Sequence, residues 1–271
     1  MKKFLDFCQK FNIKEKFPFS SDIILQYISF LNLQKVPSQS IMPMLSAISY
    51  KHKINDLPDP CKSFKVAQIL NALKKDANPV KQKLPITLTL LNKIVSAIYK
   101  LGLSNYEALL FRTMFLMQFF FALRIGEFTE SRHNLSIEEI SLKDDSITIN
   151  FKSYKHSTDM IDSPHIVHRT KEGPCPVEAL KNYISLRGKN PGPLFIIHNK
   201  SINRSNYDRI FKLLLKSLGE NESQYSSHSF RAGATTYWSN KGLSELQIKR
   251  LGRWKSNAIF KYLRGPIVHT M

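Results

Sequence analysis

Apolar positions along the first 75 residues recur at helical spacing. Phe4, Leu5 and Cys8 mark a first turn or two, Ser20-Ser21 cap a stretch from Ile23 to Leu33, and Ser38 or Ser40 opens a helix running through Ile48 and Lys51. Val66, Ile69, Leu70 and Leu73 share one face of a fourth helix, Phe64 to Leu73. The period is lost over residues 76–86, DANPVKQKLPI, whose two prolines and three charges read as a linker. The expected organisation is therefore a helical domain over 1–75 and a second domain over 87–271.

In the second domain Leu90, Leu91, Ile94, Val95 and Ile98 return to helical spacing, and Tyr106 to Leu123 forms a strongly apolar helix that is the expected core. Between Glu138 and Lys155 the pattern alternates, with Ile147, Ile149 and Phe151 apolar on every second residue. This predicts a small antiparallel sheet turning at Asp144-Asp145, with a last strand over Ile166 to Arg169. Helices follow over Val177 to Leu186 and Tyr207 to Leu218, with Leu194 to Ile197 as a short strand or buried turn between them. Ser226-Ser227 cap the next helix, Lys241-Gly242 stop it, Ser244 caps a short one, and a break at Gly252 precedes a last helix carrying Ile259 and Tyr262. The fold class is mainly α with a small sheet.

Charge narrows the function. Lys and Arg exceed Asp and Glu to give a net charge of +19, and the pI is near 9.8, the mark of a polyanion binder. A hydrophobic content of 42% argues against a disordered basic tail. Residues 1–75 hold 12 Lys and no Arg. Lysine is a flexible point charge suited to diffuse phosphate contact, so this half is expected to grip backbone more than it reads bases, or else to be a solvated basic surface. No apolar run approaches a membrane span, and Asp6 interrupts the segment where a signal peptide would be uniformly apolar. Cys8, Cys61 and Cys175 are widely spaced and read as ordinary thiols of a reducing compartment.

Several residues carry candidate chemistry. Arg124 follows directly on the apolar helix in ALRIGE and needs a partner such as Glu127 or Glu130. His228 and Arg231, three apart in HSFR, project from one helix face. Gly252-Arg253-Trp254 forms the turn, and Tyr262 is either buried packing or a phenol presented to an anion. His165 and His168 resemble a metal pair, but strand residues three apart face opposite sides, so no metal is expected.

In this order these elements resemble the active site of the tyrosine recombinase (phage integrase) family: the Arg motif ALRIGE with its supporting acid Glu127, then H-x-x-R, then the Gly-His/Trp turn, then a nucleophilic Tyr. The wording HSFRAGATT, GRWKS and YLR is similar to recombinases of eukaryotic mobile elements. The resemblance implies a core-binding domain joined to a catalytic domain. It implies a nucleophile at Tyr262, a phosphate clamp from Arg124 and Arg231 with His228, and a Lys general acid on the hairpin. That lysine is expected to be Lys155, with Lys152 as fallback; both could also be solvated turn lysines. Double-stranded DNA is the expected partner, bound by a homo-oligomer that is tetrameric in synapsis, inside the cell and in the nucleus of a eukaryotic host. No cofactor, metal or membrane is expected.

Two departures from the family pattern stand out. Arg253 occupies the His/Trp position, with Trp254 one residue later, leaving open whether Arg253 contacts phosphate or Trp254 packs there. Nine residues follow Tyr262, where many relatives use a longer segment to dock a neighbouring subunit, so weakened synaptic assembly is an expectation. The alternatives to an active recombinase are a DNA-binding relic of the same fold and a type IB topoisomerase-like nicking enzyme.

Overall fold

The computed structural model describes residues 1–14, 16–76, 82–152 and 164–254. The chain divides into two compact units, Met1–Lys81 and Gln82–Met271.

The first unit is helical: α1 (Lys2–Lys10), α2 (Ser21–Leu33), α3 (Ser38–Lys53) and α4 (Phe64–Lys75). Ser20 and Ser63 cap α2 and α4 by accepting from Ile23 N and Val66 N, each at 3.4 Å. The apolar faces meet in one core where Phe4 packs edge-on against Phe19 and Tyr27, with Ile24, Ile28, Ile41, Ile48 and Val66 sealed around them. His52 is buried at the rim of this core. Its Nε2 accepts from Phe19 N at 3.2 Å, and its Nδ1 lies 2.9 Å from Pro58 O, so the ring pins two loops to α3.

The second unit is built on α6 (Asn105–Phe120), which Ser104 and Glu107 start with a reciprocal capping box. Almost every residue of α6 from Leu110 onward is buried, because α5 (Leu88–Ala97), α7 (Pro176–Arg187), α8 (Arg204–Ser217) and α9 (Ser227–Asn240) lie around it. Each Phe buried there contributes roughly 1.5–3 kcal/mol. Phe115 alone touches Tyr207, Phe211 and Phe230. Gln118, polar and fully buried, donates to Ser227 O at 3.0 Å and accepts from the Tyr207 hydroxyl, tying the starts of α8 and α9 to the core helix.

The helix does not run to Leu123 as its apolar pattern suggests. It closes at Phe120, and Ala122 adopts a left-handed φ of 47°. A turn of that kind costs an L-residue about 1–2 kcal/mol, and here it aims the Ala122 carbonyl at Arg231. The sheet is antiparallel in the order β1 (Ile140–Leu142), β2 (Ser146–Ile149), β3 (His165–His168), with Ile147 paired to Leu142 on one side and Val167 on the other. Its first turn lies at Asp144-Asp145, and its last strand begins one residue earlier than the alternation indicates. A two-residue pair, β4 (Ile196–Ile197) and β5 (Lys200–Ser201), follows α7. The last described helix is α10 (Glu245–Leu251), capped by Ser244.

Residues 84–86 do not hang free between units. Leu84 N donates to Gln224 O at 2.8 Å, Ile86 N donates to Ser229 O at 2.9 Å, and Ile86 is buried. The approach requires Gly233 on α9, where a Cβ would come within 1.8 Å of Ile86 O. Lys155, Ile259 and Tyr262 lie outside the described residues, as do positions 77–81 of the Pro-containing stretch.

Candidate active site

Where α6 ends, Arg124 is extended and a short turn over Ile125–Glu127 folds the acid back onto it. Glu127 Oε2 accepts from Arg124 N at 2.7 Å, and Glu127 Oε1 accepts from Arg124 Nη1 at 2.9 Å. Of the two partners that the sequence offers Arg124, Glu127 and Glu130, it takes Glu127. Glu130 instead uses its backbone N to donate to Ile202 O.

A second cation reaches the same carboxylate from far along the chain. Arg253 Nη2 donates to Glu127 Oε2 at 2.6 Å and its Nε to Oε1 at 3.3 Å, with both side chains only 1–2% exposed. Burial by itself would raise the Glu127 pKa. Arg253 and then Arg124 overcome it and hold the carboxyl below its usual range.

The turn that carries Arg253 organises both Arg124 and Arg231. Arg253 has a left-handed φ of 54°, and the carbonyls of Gly252 and Arg253 accept from different side chains. Arg231 Nη2 donates to Gly252 O at 2.8 Å, and Arg124 Nη2 donates to Arg253 O at 2.7 Å. Arg231, on α9, also donates to Ala122 O, and the Trp254 indole covers its guanidinium at 4.3 Å. Gly252 makes room for that indole, since a Cβ there would meet Trp254 ring carbons at 1.7 Å. Of the two openings at this turn, Trp254 packs and Arg253 is turned inward.

His228 starts α9 with its side chain exposed, while Arg231 one turn on is 2% exposed. Partial desolvation, then the charges of Arg231, Arg204 and Arg124, depress the His228 pKa below its ordinary value. At neutral pH the ring is therefore uncharged and able to accept a proton. Arg204, at the start of α8, is a basic neighbour that sequence reasoning did not single out; nothing in its local pattern signals it.

The hairpin closes on the same place. Phe151 lies under the Arg253 guanidinium at 4.2 Å, His165 packs edge-on against Phe151, and His165 Nδ1 is 3.5 Å from Arg253 Nη1. His165 thus belongs to this cluster, whereas His168 faces Asp145 at 3.8 Å. Lys152 has an exposed side chain, and its backbone N donates to Glu139 Oε1 at 2.6 Å. The chain leaves the sheet after Ile149 and re-enters it at His165, and Lys155 lies between them in sequence. Tyr237 sits among Phe119, Phe120 and Trp238, and burial raises its pKa, as for a packing residue.

Two guanidinia on one carboxylate, with that of Arg231 held by the neighbouring carbonyls of Ala122 and Gly252, leave a net positive site suited to an oxyanion with two or more acceptor atoms, such as a phosphodiester. Among the described residues no group of His, Cys, Asp or Glu is placed to hold a metal ion, and no helix is long and apolar enough to cross a membrane.

Comparison with known proteins bears on the family and the fold. The profile described as the phage integrase family matches residues 62–263. No curated protein matches the sequence. Solved structures do: the Tn1549 transposon integrase in complex with circular intermediate DNA, with a TM-score of 0.61 and 16% identity over 92% of this chain and 82% of that one. A lambda integrase dimer bound to a COC′ core site gives a TM-score of 0.59 and 12% identity over 99% and 73%. XerA recombinase gives 0.50 and 18% over 96% and 82%. At these identities the likeness is one of fold: helical with a small three-stranded antiparallel sheet.

Proposed function

Because the chain belongs to the phage integrase family, we propose that it cuts and rejoins DNA strands as a tyrosine recombinase, and that Arg124, Arg231 and His228 surround the scissile phosphate. The observation that carries the reading is the pair of adjacent carbonyls, Gly252 O and Arg253 O, holding Arg231 and Arg124 at 2.8 and 2.7 Å. A phosphodiester resists attack because its oxygens are already anionic, and charge rises further as a nucleophile adds. Preorganised cations lower that barrier without reorganising at the moment of reaction.

In the proposed step the Tyr262 oxygen attacks phosphorus, the P–O5′ bond breaks, and a 3′-phosphotyrosine forms with a free 5′-hydroxyl. The phenol proton goes to His228 or to water; His228 alternatively donates to a phosphate oxygen. Lys155 supplies the proton to the leaving oxygen, a role supported by its position on the segment joining Phe151 to His165, with Lys152 as the other candidate. A hydroxyl from a second strand reverses the step. The chain's own cations supply the charge stabilisation, so cleavage is expected to proceed in EDTA.

Residues 1–75 are proposed as the DNA-gripping domain and 87–271 as the catalytic domain, with a homo-oligomer, tetrameric in synapsis, acting on duplex DNA. The motif wording supports an origin in a eukaryotic mobile element and hence a nuclear site of action. The matched Xer, transposon and phage structures speak to fold and not to origin.

One observation favours a second reading, a DNA-binding protein of this fold that no longer recombines: Arg253, at the His/Trp position, is turned into Glu127 and not outward. Trapping on a nicked duplex separates the two. The wild type is expected to form an SDS-resistant adduct, and Tyr262→Phe to lose it while binding DNA nearly as well. Arg231→Ala is expected to cut cleavage ~100- to 1,000-fold. Absence of any wild-type adduct would favour the relic, whereas an adduct persisting in Tyr262→Phe would place the nucleophile elsewhere. An enzyme that cleaves but never joins two sites would be topoisomerase-like.

A further inference from the structure

We propose that Arg253 is a positioning residue, which fixes the guanidinium of Arg124 through a shared carboxylate and does not itself contact the scissile phosphate. The inference rests on the recombinase reading and deepens it.

The Arg253 side chain is already engaged along its nitrogen edge and on one face. Along its fork, Nη2 and Nε engage Glu127 at 2.6 and 3.3 Å, and Nη1 donates to Leu251 O at 3.0 Å with His165 Nδ1 at 3.5 Å. One face lies on Phe151 at 4.2 Å. Turning this group outward to a phosphate would strip a carboxylate that is 2% exposed of its closest partner, and a buried charge left short of partners is costly.

Residue 253 instead reaches Arg124 by two routes. Its side chain holds Glu127, whose Oε1 also accepts from Arg124 Nη1 at 2.9 Å; its carbonyl accepts from Arg124 Nη2 directly at 2.7 Å. Arg124 is thus gripped at both terminal nitrogens, while its side chain keeps 22% exposure toward a ligand. A histidine or tryptophan at this position could not place two nitrogens on the carboxylate as an arginine fork does.

The test compares wild type, Arg253→Met and Arg253→Lys on one nicked duplex, following covalent adduct formation and, separately, affinity against salt. Loss of positioning is expected to slow Arg253→Met about 100-fold, since a displacement near 1 Å costs that much. Lysine, able to hold Glu127 at one point, is expected to recover part of the rate. Neither variant is expected to change the salt slope of binding. A slope reduced by about 0.9, the value of one phosphate contact, would show that Arg253 touches DNA and overturn the proposal. So would wild-type cleavage in Arg253→Met. In an Arg124→Lys background the Arg253→Met change is expected to cost less than it does in the parent, and equal costs would mean that the two act independently. If Arg253→Met does not fold, Arg253→Lys decides: slower cleavage at an unchanged slope supports the proposal, and the wild-type rate ends it. A wild type without adduct overturns the recombinase reading and this inference with it, whereas a cleaving wild type with indifferent variants removes only the inference.

Discussion

Glu127 and Arg253 meet at 2.6 Å in a site where neither side chain is more than 2% exposed, although one closes the turn after the core helix and the other follows the last described helix. Two guanidinia share that carboxylate, so its ionisation is linked to the stability of the second unit.

The sign follows from the depressed Glu127 pKa. A folded value below the unfolded one, about 4.3, gives stability that is fully present above pH 4.3 and is lost as pH falls through the lower folded value. Glu127→Gln is expected to cost about 3–5 kcal/mol at pH 7, because it leaves the Arg253 cation buried without its counterion. Denaturant unfolding at pH 7 and pH 3 checks this: the penalty should shrink in acid, and an equal penalty at both would mean that the charge is not what matters.

Gly233→Ala is expected to destabilise the protein by roughly 1–3 kcal/mol, because the new methyl meets a backbone carbonyl, Ile86 O, at 1.8 Å. Gly126→Ala is the control. Its methyl would meet only Ser131, Oγ at 3.7 Å and Cβ at 3.9 Å, both ordinary contacts, and should change stability by no more than about 0.5 kcal/mol. Thermal melts of the two variants that shifted alike would contradict this packing account.

Adduct formation should hold steady below pH 6.5, the ordinary value for histidine, and fall only as pH drops through the depressed pKa of His228, where the ring gains a proton and ceases to be a base. Arg204 is one of the charges that depress it, so Arg204→Gln should move that acid limb upward in pH. Rate profiles of the two proteins that superimpose would remove Arg204 from the electrostatics of the site.

Binding to duplex DNA is expected to weaken tenfold or more between about 50 and 200 mM salt, if even a few lysines of residues 1–75 contact phosphate. Neutralising Lys65, Lys74 and Lys75 of α4, all exposed, should flatten that dependence. Affinity that ignores salt in a titration would deny this domain its gripping role.

Much of this protein was legible in its residues because the signals are local. Ser104 with Glu107, Ser63 before Val66 and Ser244 with Gln247 start helices through contacts spanning three residues, and the alternation at Ile147 and Ile149 marks a strand. Arg124 and Glu127 pair within one turn, so that partnership too could be read directly. The remainder depends on groups distant in the chain. Nothing near Ala122 predicts that the helix stops there, because the compensating hydrogen bond comes from Arg231. Ile86 reads as linker until Gly233 lets its backbone reach α9. At the Gly252 turn the residues leave open whether Arg253 contacts a phosphate or Trp254 packs there, and the folded chain lays Trp254 on Arg231 and turns Arg253 onto Glu127. Burial of Glu127 makes a second close cation more favourable than solvent, and the turn at Gly252 together with the hairpin residues Phe151 and His165 encloses Arg253 against it.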